Sequence, residues 1–201
     1  MKALKFLLLL LSTNVIAQKT FNLKDLFTVD TVVWYGIDYS KSKFIGEFGE
    51  KDLNEYFHGW NRLIIEEPYK YDVSRSLQKR KTMFDIESVE KLNQKSVPNI
   101  INVDGDTILR PSDFPMMVAA YQGKYNEGIG IVFIAEEYNR TKSFATHYVV
   151  IFDIVSKKIL ISRKYTTHPN GIGLRNYWAP AILESLNSLA KQYKKWKKKY
   201  A

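Results

Sequence analysis

The chain has 201 residues, a formal net charge of +9 and no cysteine. The missing cysteine excludes disulfides, thiol catalysis, zinc fingers, iron–sulfur centres and a lipid-modified anchor of the lipoprotein kind. The charge is uneven: two lysines lie in the first five residues and six in the last eleven, which leaves +1 for the rest.

Taken in order, the chain opens on an expected export signal. Lys2 and Lys5 precede the apolar run 6–11, and Val15, Ile16 and Ala17 offer a cleavage site before Gln18. With its weaker continuation through Ser12, Thr13 and Asn14 to Ala17 the stretch is about a dozen residues, whereas a bilayer span needs about 20. Residues 18–201 then form one expected domain, exported to the periplasm or beyond, and long enough to stand without disulfides.

Residues 22–27 suggest one helical turn. Residues 31–39 read as a strand with Val33, Tyr35, Ile37 and Tyr39 on one face. Residues 52–66 form a helix whose apolar stripe is Leu53, Tyr56, Phe57, Trp60, Leu63 and Ile64. Asp52 and Glu55 have the spacing of a capping box, and His58 and Arg62 fall on the polar face. Asp72 is expected to cap a helix, "KTMF" to be a short strand, and Asp85 to cap a helix with Ile86, Val89 and Leu92 inward. "IINVDGDTIL" predicts a hairpin turning at Asp104 and Gly105. A helix follows from about Ser112 or Asp113, with Pro115 in its first turn and Gly123 past its end.

The last third predicts three strands, 128–139, 144–155 and 157–167. Their short links call for an antiparallel meander. A helix from Arg175 to Trp196 closes the chain, with Trp178, Ile182, Leu183, Leu186, Leu189, Tyr193 and Trp196 along one stripe. The expected fold class is therefore α/β (α+β): a mixed sheet with a C-terminal meander, packed by amphipathic helices.

Three stretches carry a resemblance: "VVWYGIDYS" as the first strand, "YVVIFDIVSKKILISRKY" as strand, turn and strand, and "GLRNYWAPAILESLNSLAKQY" as the closing helix. In element order they resemble the α/β domain of curli-secretion lipoproteins, penicillin-binding-protein activator lipoproteins and the N-terminal domain of the TolB translocation protein. The chain also resembles small exported proteins of Bacteroidetes-type bacteria whose function is unknown. The first resemblance implies an envelope domain that binds other proteins and has no active site.

Candidate chemistry is sparse. Asp38 stands at a strand's carboxyl end, a common ligand position in α/β folds. It equally serves to end the strand, with Ser40 and Ser42 bonding the backbone and Lys41 and Lys43 near enough to neutralise it. Asp153 is expected near its hairpin turn, facing Lys157 or Lys158. His58, His147 and His168 belong to no metal or triad motif, so no metal, cofactor or catalytic residue is assigned. "TTHPNGIGLRN" leads into the last helix, where His168, Arg175 and free amides would suit an anion; a plain flexible link is the alternative. The two acids of "VDGDT" are too few for a calcium loop.

The tail 191–201 interleaves Tyr193 and Trp196 with Lys194, Lys195, Lys197, Lys198 and Lys199. These residues are the candidate surface for a protein or an anionic partner. A solvated helix end with cations at its favourable terminus is the other reading; nucleic acid is not expected for an exported chain. The leading expectation is an exported, non-enzymatic envelope domain that binds a protein or anionic surface. The alternative is a hydrolase or small-ligand binder built on Asp38, His168 and Arg175.

Overall fold

A computed structural model describes residues 18–48, 50–96, 100 and 109–201. The expected export signal and the hairpin turn expected at "VDGDT" lie outside the described residues. The elements are α1 (Asp25–Thr28), β1 (Thr31–Asp38), β2 (Lys43–Ile45), α2 (Glu50–Glu66), α3 (Val73–Ser76), β3 (Lys81–Phe84), α4 (Glu87–Ser96), α5 (Phe114–Ala119), β4 (Ile129–Asn139), β5 (Phe144–Asp153), β6 (Ile159–Thr167) and α6 (Leu174–Tyr200). A short 3₁₀ turn, Pro111–Asp113, leads into α5.

The strands form one mixed sheet in the order β3-β1-β4-β5-β6, with β2 following β1 along the edge of β4. β1 runs parallel to both β3 and β4. β4, β5 and β6 are the predicted antiparallel meander. The short links Arg140–Ser143 and 154–158 permit nothing else.

Helices cover both faces. On the larger face α2 and α6 bury Leu53, Phe57 and Trp60 with Trp178, Ile182, Leu186 and Leu189 against Trp34, Ile131, Phe133 and Val149. The other face carries Val33, Tyr35, Val132, Ile134, Val150 and Phe152 under Val89, Phe114, Met117 and Val118 of α4 and α5. Burying the α6 stripe is worth on the order of 10 kcal/mol before entropy, so the helix belongs to the fold.

The first strand departs from simple alternation. Its pairing with β4 shifts register between Trp34 and Ile37. Gly36 sits in the slip at φ +104°. The slip puts Val33 and Tyr35 on one face and Ile37 and Tyr39 on the other, rather than all four together. A bulge inserts one residue, and that inverts the side-chain order beyond it. It also leaves backbone groups without strand partners. Two buried asparagines supply them. Asn61 of α2 accepts from the Ile37 amide at 2.5 Å, and Asn93 of α4 accepts from the Tyr39 amide at 2.7 Å and donates to the Ile37 carbonyl at 2.9 Å.

Other boundaries moved for local reasons. α2 starts at Glu50, so Asp52 lies inside the helix rather than at its cap. Asp72 caps α3 as expected, accepting from the Arg75 amide, but the helix is a single turn. Asp85 does not cap α4: its Oδ2 accepts from the Lys124 amide at 2.7 Å and so ties down the turn after Gly123. α6 continues four residues past Trp196, with Pro180 inside its first turns.

Candidate functional site

Asp38 ends β1 on the α4/α5 face and is 1% exposed. Its Oδ1 accepts from the Ser40 amide at 2.8 Å, the local strand-ending bond foreseen. Its Oδ2 accepts from the Tyr121 hydroxyl at 2.6 Å, which the sequence did not suggest. Burial, then the Asp38 charge and this bond, push the Tyr121 phenol well above its usual range. Tyr121 is thus a fixed donor to a buried carboxylate. Asp38 and Lys41 line the edge of a cavity of about 170 Å³ beneath α5.

His168 and Arg175 are elsewhere. β1 and β6 are separated by β4 and β5, three strand spacings or roughly 14 Å. His168 is exposed just past β6, and its amide donates to Glu184 Oε2 at 3.0 Å. Arg175 approaches Glu67 Oε1 at 3.4 Å, and its carbonyl accepts from Trp60 Nε1, both on the α2 side. The three residues do not form one site. The loop before α6 does border a cleft of about 400 Å³, lined by Arg140, Gly171, Ile172, Gly173, Leu174 and Tyr177, but without His168 or Arg175.

Two buried polar groups escaped the sequence reading. His147 points into the large core, fully buried. Its Nε2 lies 2.6 Å from the Tyr138 hydroxyl and its Nδ1 3.0 Å from Ser185 Oγ. Ser185 donates to the Ala181 carbonyl, so its oxygen is left to accept from Nδ1–H, and Nε2 accepts from Tyr138. Burial holds the imidazole pKa down to about 3. His147 is a neutral link between β5 and α6, walled off from solvent. Strict alternation with Ala145 and Val149 was the signal available for it.

Glu136, also buried, meets Lys164 Nζ at 2.5 Å, while its Oε1 has no hydrogen-bond partner. Burial alone would lower Lys164, but Glu136 raises it. Asp153 was expected to face a lysine. Its carboxylate instead accepts from the Phe21 amide and from the amide and hydroxyl of Ser156, while its own amide donates to the Lys158 carbonyl. These bonds tie the N-terminal segment to the β5–β6 turn. His58 is on the surface as foreseen, 2.8 Å from Glu90.

The chain's basic end is helical as far as Tyr200. Tyr193 and Trp196 are buried, at 1% and 6% exposure, so the aromatics expected at the surface are core residues. The Tyr193 ring packs 5.5 Å from Phe27, and its hydroxyl donates to the Leu26 carbonyl. Lys191, Lys194, Lys195, Lys197, Lys198 and Lys199 are all exposed. Lys191, Lys194, Lys195 and Lys198 follow helical spacing along the face opposite Leu189, Tyr193 and Trp196.

Tertiary packing enlarges this basic patch. α3 lies against α6, and Lys197 Nζ donates to Gln78 at 3.3 Å. That contact brings exposed Arg75, Arg80 and Lys81 to the same end of the molecule. Lys79, pinned by the Leu26 and Val29 carbonyls, is lowered to about 8 by burial and then by the Lys197 charge.

Among the described residues no group of three or more His, Asp or Glu side chains is placed to hold a metal. No helix among them is long and apolar enough to cross a membrane. No family model matches the chain, and no curated protein matches it.

Proposed function

We propose that this chain is an exported, non-enzymatic binding domain of the cell envelope that docks on an anionic surface through the basic end of α6. The observation that carries the reading is the division of α6 itself: Tyr193 and Trp196 anchor the helix in the core and leave six lysines in solvent. A rigid array loses less side-chain and backbone freedom on docking than a loose tail. Near an anionic membrane surface each lysine contributes up to about 1 kcal/mol. Arg75, Arg80 and Lys81 widen the field.

Removing the tail is the wrong test, because it removes core residues. Charge reversal is the right one. The triple variant Lys194→Glu, Lys195→Glu, Lys198→Glu is expected to fold like the parent. It should lose co-sedimentation with phosphatidylglycerol vesicles at low salt, and the parent's binding should fall steeply as salt rises. Equal retention of parent and variant would refute the docking role. Export is tested by the mass of the chain recovered from the periplasm, which should start at Gln18.

A further inference from the structure

From a second surface, on the opposite face of the sheet, we infer that the groove between α4 and α5 is a docking site for an acidic peptide segment with one large apolar anchor residue. The groove consists of two adjoining cavities that share Leu92 and Ala120. The first, about 170 Å³, has an apolar wall of Leu92, Met116, Met117 and Ala120 and ends at Asp38 and Lys41. The second, about 270 Å³, continues along α4 past Lys91 and Lys95.

Size and charge choose the occupant. Pockets for drug-sized ligands run from roughly 300 Å³ upward, so the first cavity suits a single side chain rather than a whole small molecule. Its wall includes Met116, 72% exposed, one of the few large apolar side chains left in solvent among the described residues. Methionine thioethers adapt to varied partners, and they are favoured on surfaces that bind peptides.

The rim is positive. Lys41, Lys91 and Lys95 are exposed along it. Its two acids are committed: Glu87 to Lys91 at 2.6 Å, and Asp38 to Ser40 and Tyr121. Lys41 and Lys95 have no ion pair among the described residues. An apolar socket between free cations complements a Leu, Met or Phe flanked by Asp or Glu.

The test is a displayed library of random peptides panned on the intact chain, with enriched peptides measured by fluorescence anisotropy. Enriched sequences should place one large apolar residue among carboxylates. Ala120→Phe, which fills the socket from an exposed position, should weaken them at least about tenfold, as should Lys41→Glu with Lys95→Glu. Met116→Glu serves as the second socket variant if the urea midpoint of Ala120→Phe shifts. The α6 triple reversal should leave peptide binding unchanged, so this site and the α6 surface fail or survive separately. Any of four results overturns the inference: no enrichment, enrichment of basic or uncharged sequences, affinity indifferent to both socket variants, or loss of peptide binding in the α6 variant. Retention on anionic vesicles that Ala120→Phe abolishes would assign the groove to lipid and overturn it as well.

Discussion

Acid should loosen this fold through His147, and the size of the effect follows from its surroundings. The ring is fully buried between β5 and α6, and both nitrogens meet neutral hydroxyls, Tyr138 and Ser185. Beyond Tyr138 the next polar group is the Tyr39 hydroxyl, 3.4 Å away and also neutral. No carboxylate stands by to compensate a charge. The folded pKa is accordingly depressed to about 3, against 6.5 for the free group. A base with a depressed folded pKa favours the folded state fully above the unfolded value. That contribution is lost as pH falls from 6.5, and the loss stops only near the folded value. The slope is about 1.4 kcal/mol per pH unit, so going from about pH 7 to about pH 4.5 removes some 2–3 kcal/mol. Against a total stability of about 5–15 kcal/mol that is large. Urea unfolding at several pH values, for the parent and for His147→Gln, isolates the effect. The variant starts less stable at neutral pH, because Tyr138 and Ser185 lose a partner, but its stability should decline less steeply. Every other titratable group is common to the two proteins and cancels in the difference. Equal pH slopes for the two proteins would refute the reasoning.

Three further outcomes are expected. Gly36→Ala places a Cβ 2.7 Å from Asn61 Oδ1 at φ +104°; it should destabilise by about 2 kcal/mol or more in chemical denaturation, combining backbone strain with a displaced hydrogen-bond partner. Tyr121→Phe strips the buried Asp38 Oδ2 of its donor, and should cost about 1–3 kcal/mol by the same measurement. Trp196→Ala should cost about 3–5 kcal/mol, whereas Lys198→Ala, two residues on and exposed, should change stability by less than about 0.5 kcal/mol; a similar small effect for both would mean that α6 is not anchored to its end.

How much was legible beforehand varies by element. α6 was readable because its apolar side chains repeat at the helix period on one side, and the meander because its strands are β-branched and aromatic runs joined by short links, β4 and β5 being buried on both faces. β1 was readable as a strand, but its facing was not. Nothing in "YGID" announces that Gly36 adopts positive φ, because that conformation is held by Asn61 and Asn93 arriving from two other helices. Tyr193 and Trp196 had the right spacing for the α6 stripe, yet the lysines around them suggested a surface. Their burial depends on α1 and α3 being there to receive them.

Local chemistry therefore settled, from the sequence alone, β1, α2, the β4–β6 meander and α6, though not β2, together with the absence of thiol chemistry and the concentration of positive charge at the end of the chain. These depend on residue type and near neighbours. Only the tertiary structure decided who meets whom: Asp38 with Tyr121, His147 with Tyr138 and Ser185, Glu136 with Lys164, and Lys197 with Gln78 and Lys79. It also set His168 apart from Asp38, beyond β4 and β5, and Arg175 on the α2 side. Such pairs join residues between 9 and 119 positions apart, and strand order and face carry them together or keep them separate. Hydrophobic periodicity reports which side of an element is buried, but not which element buries it.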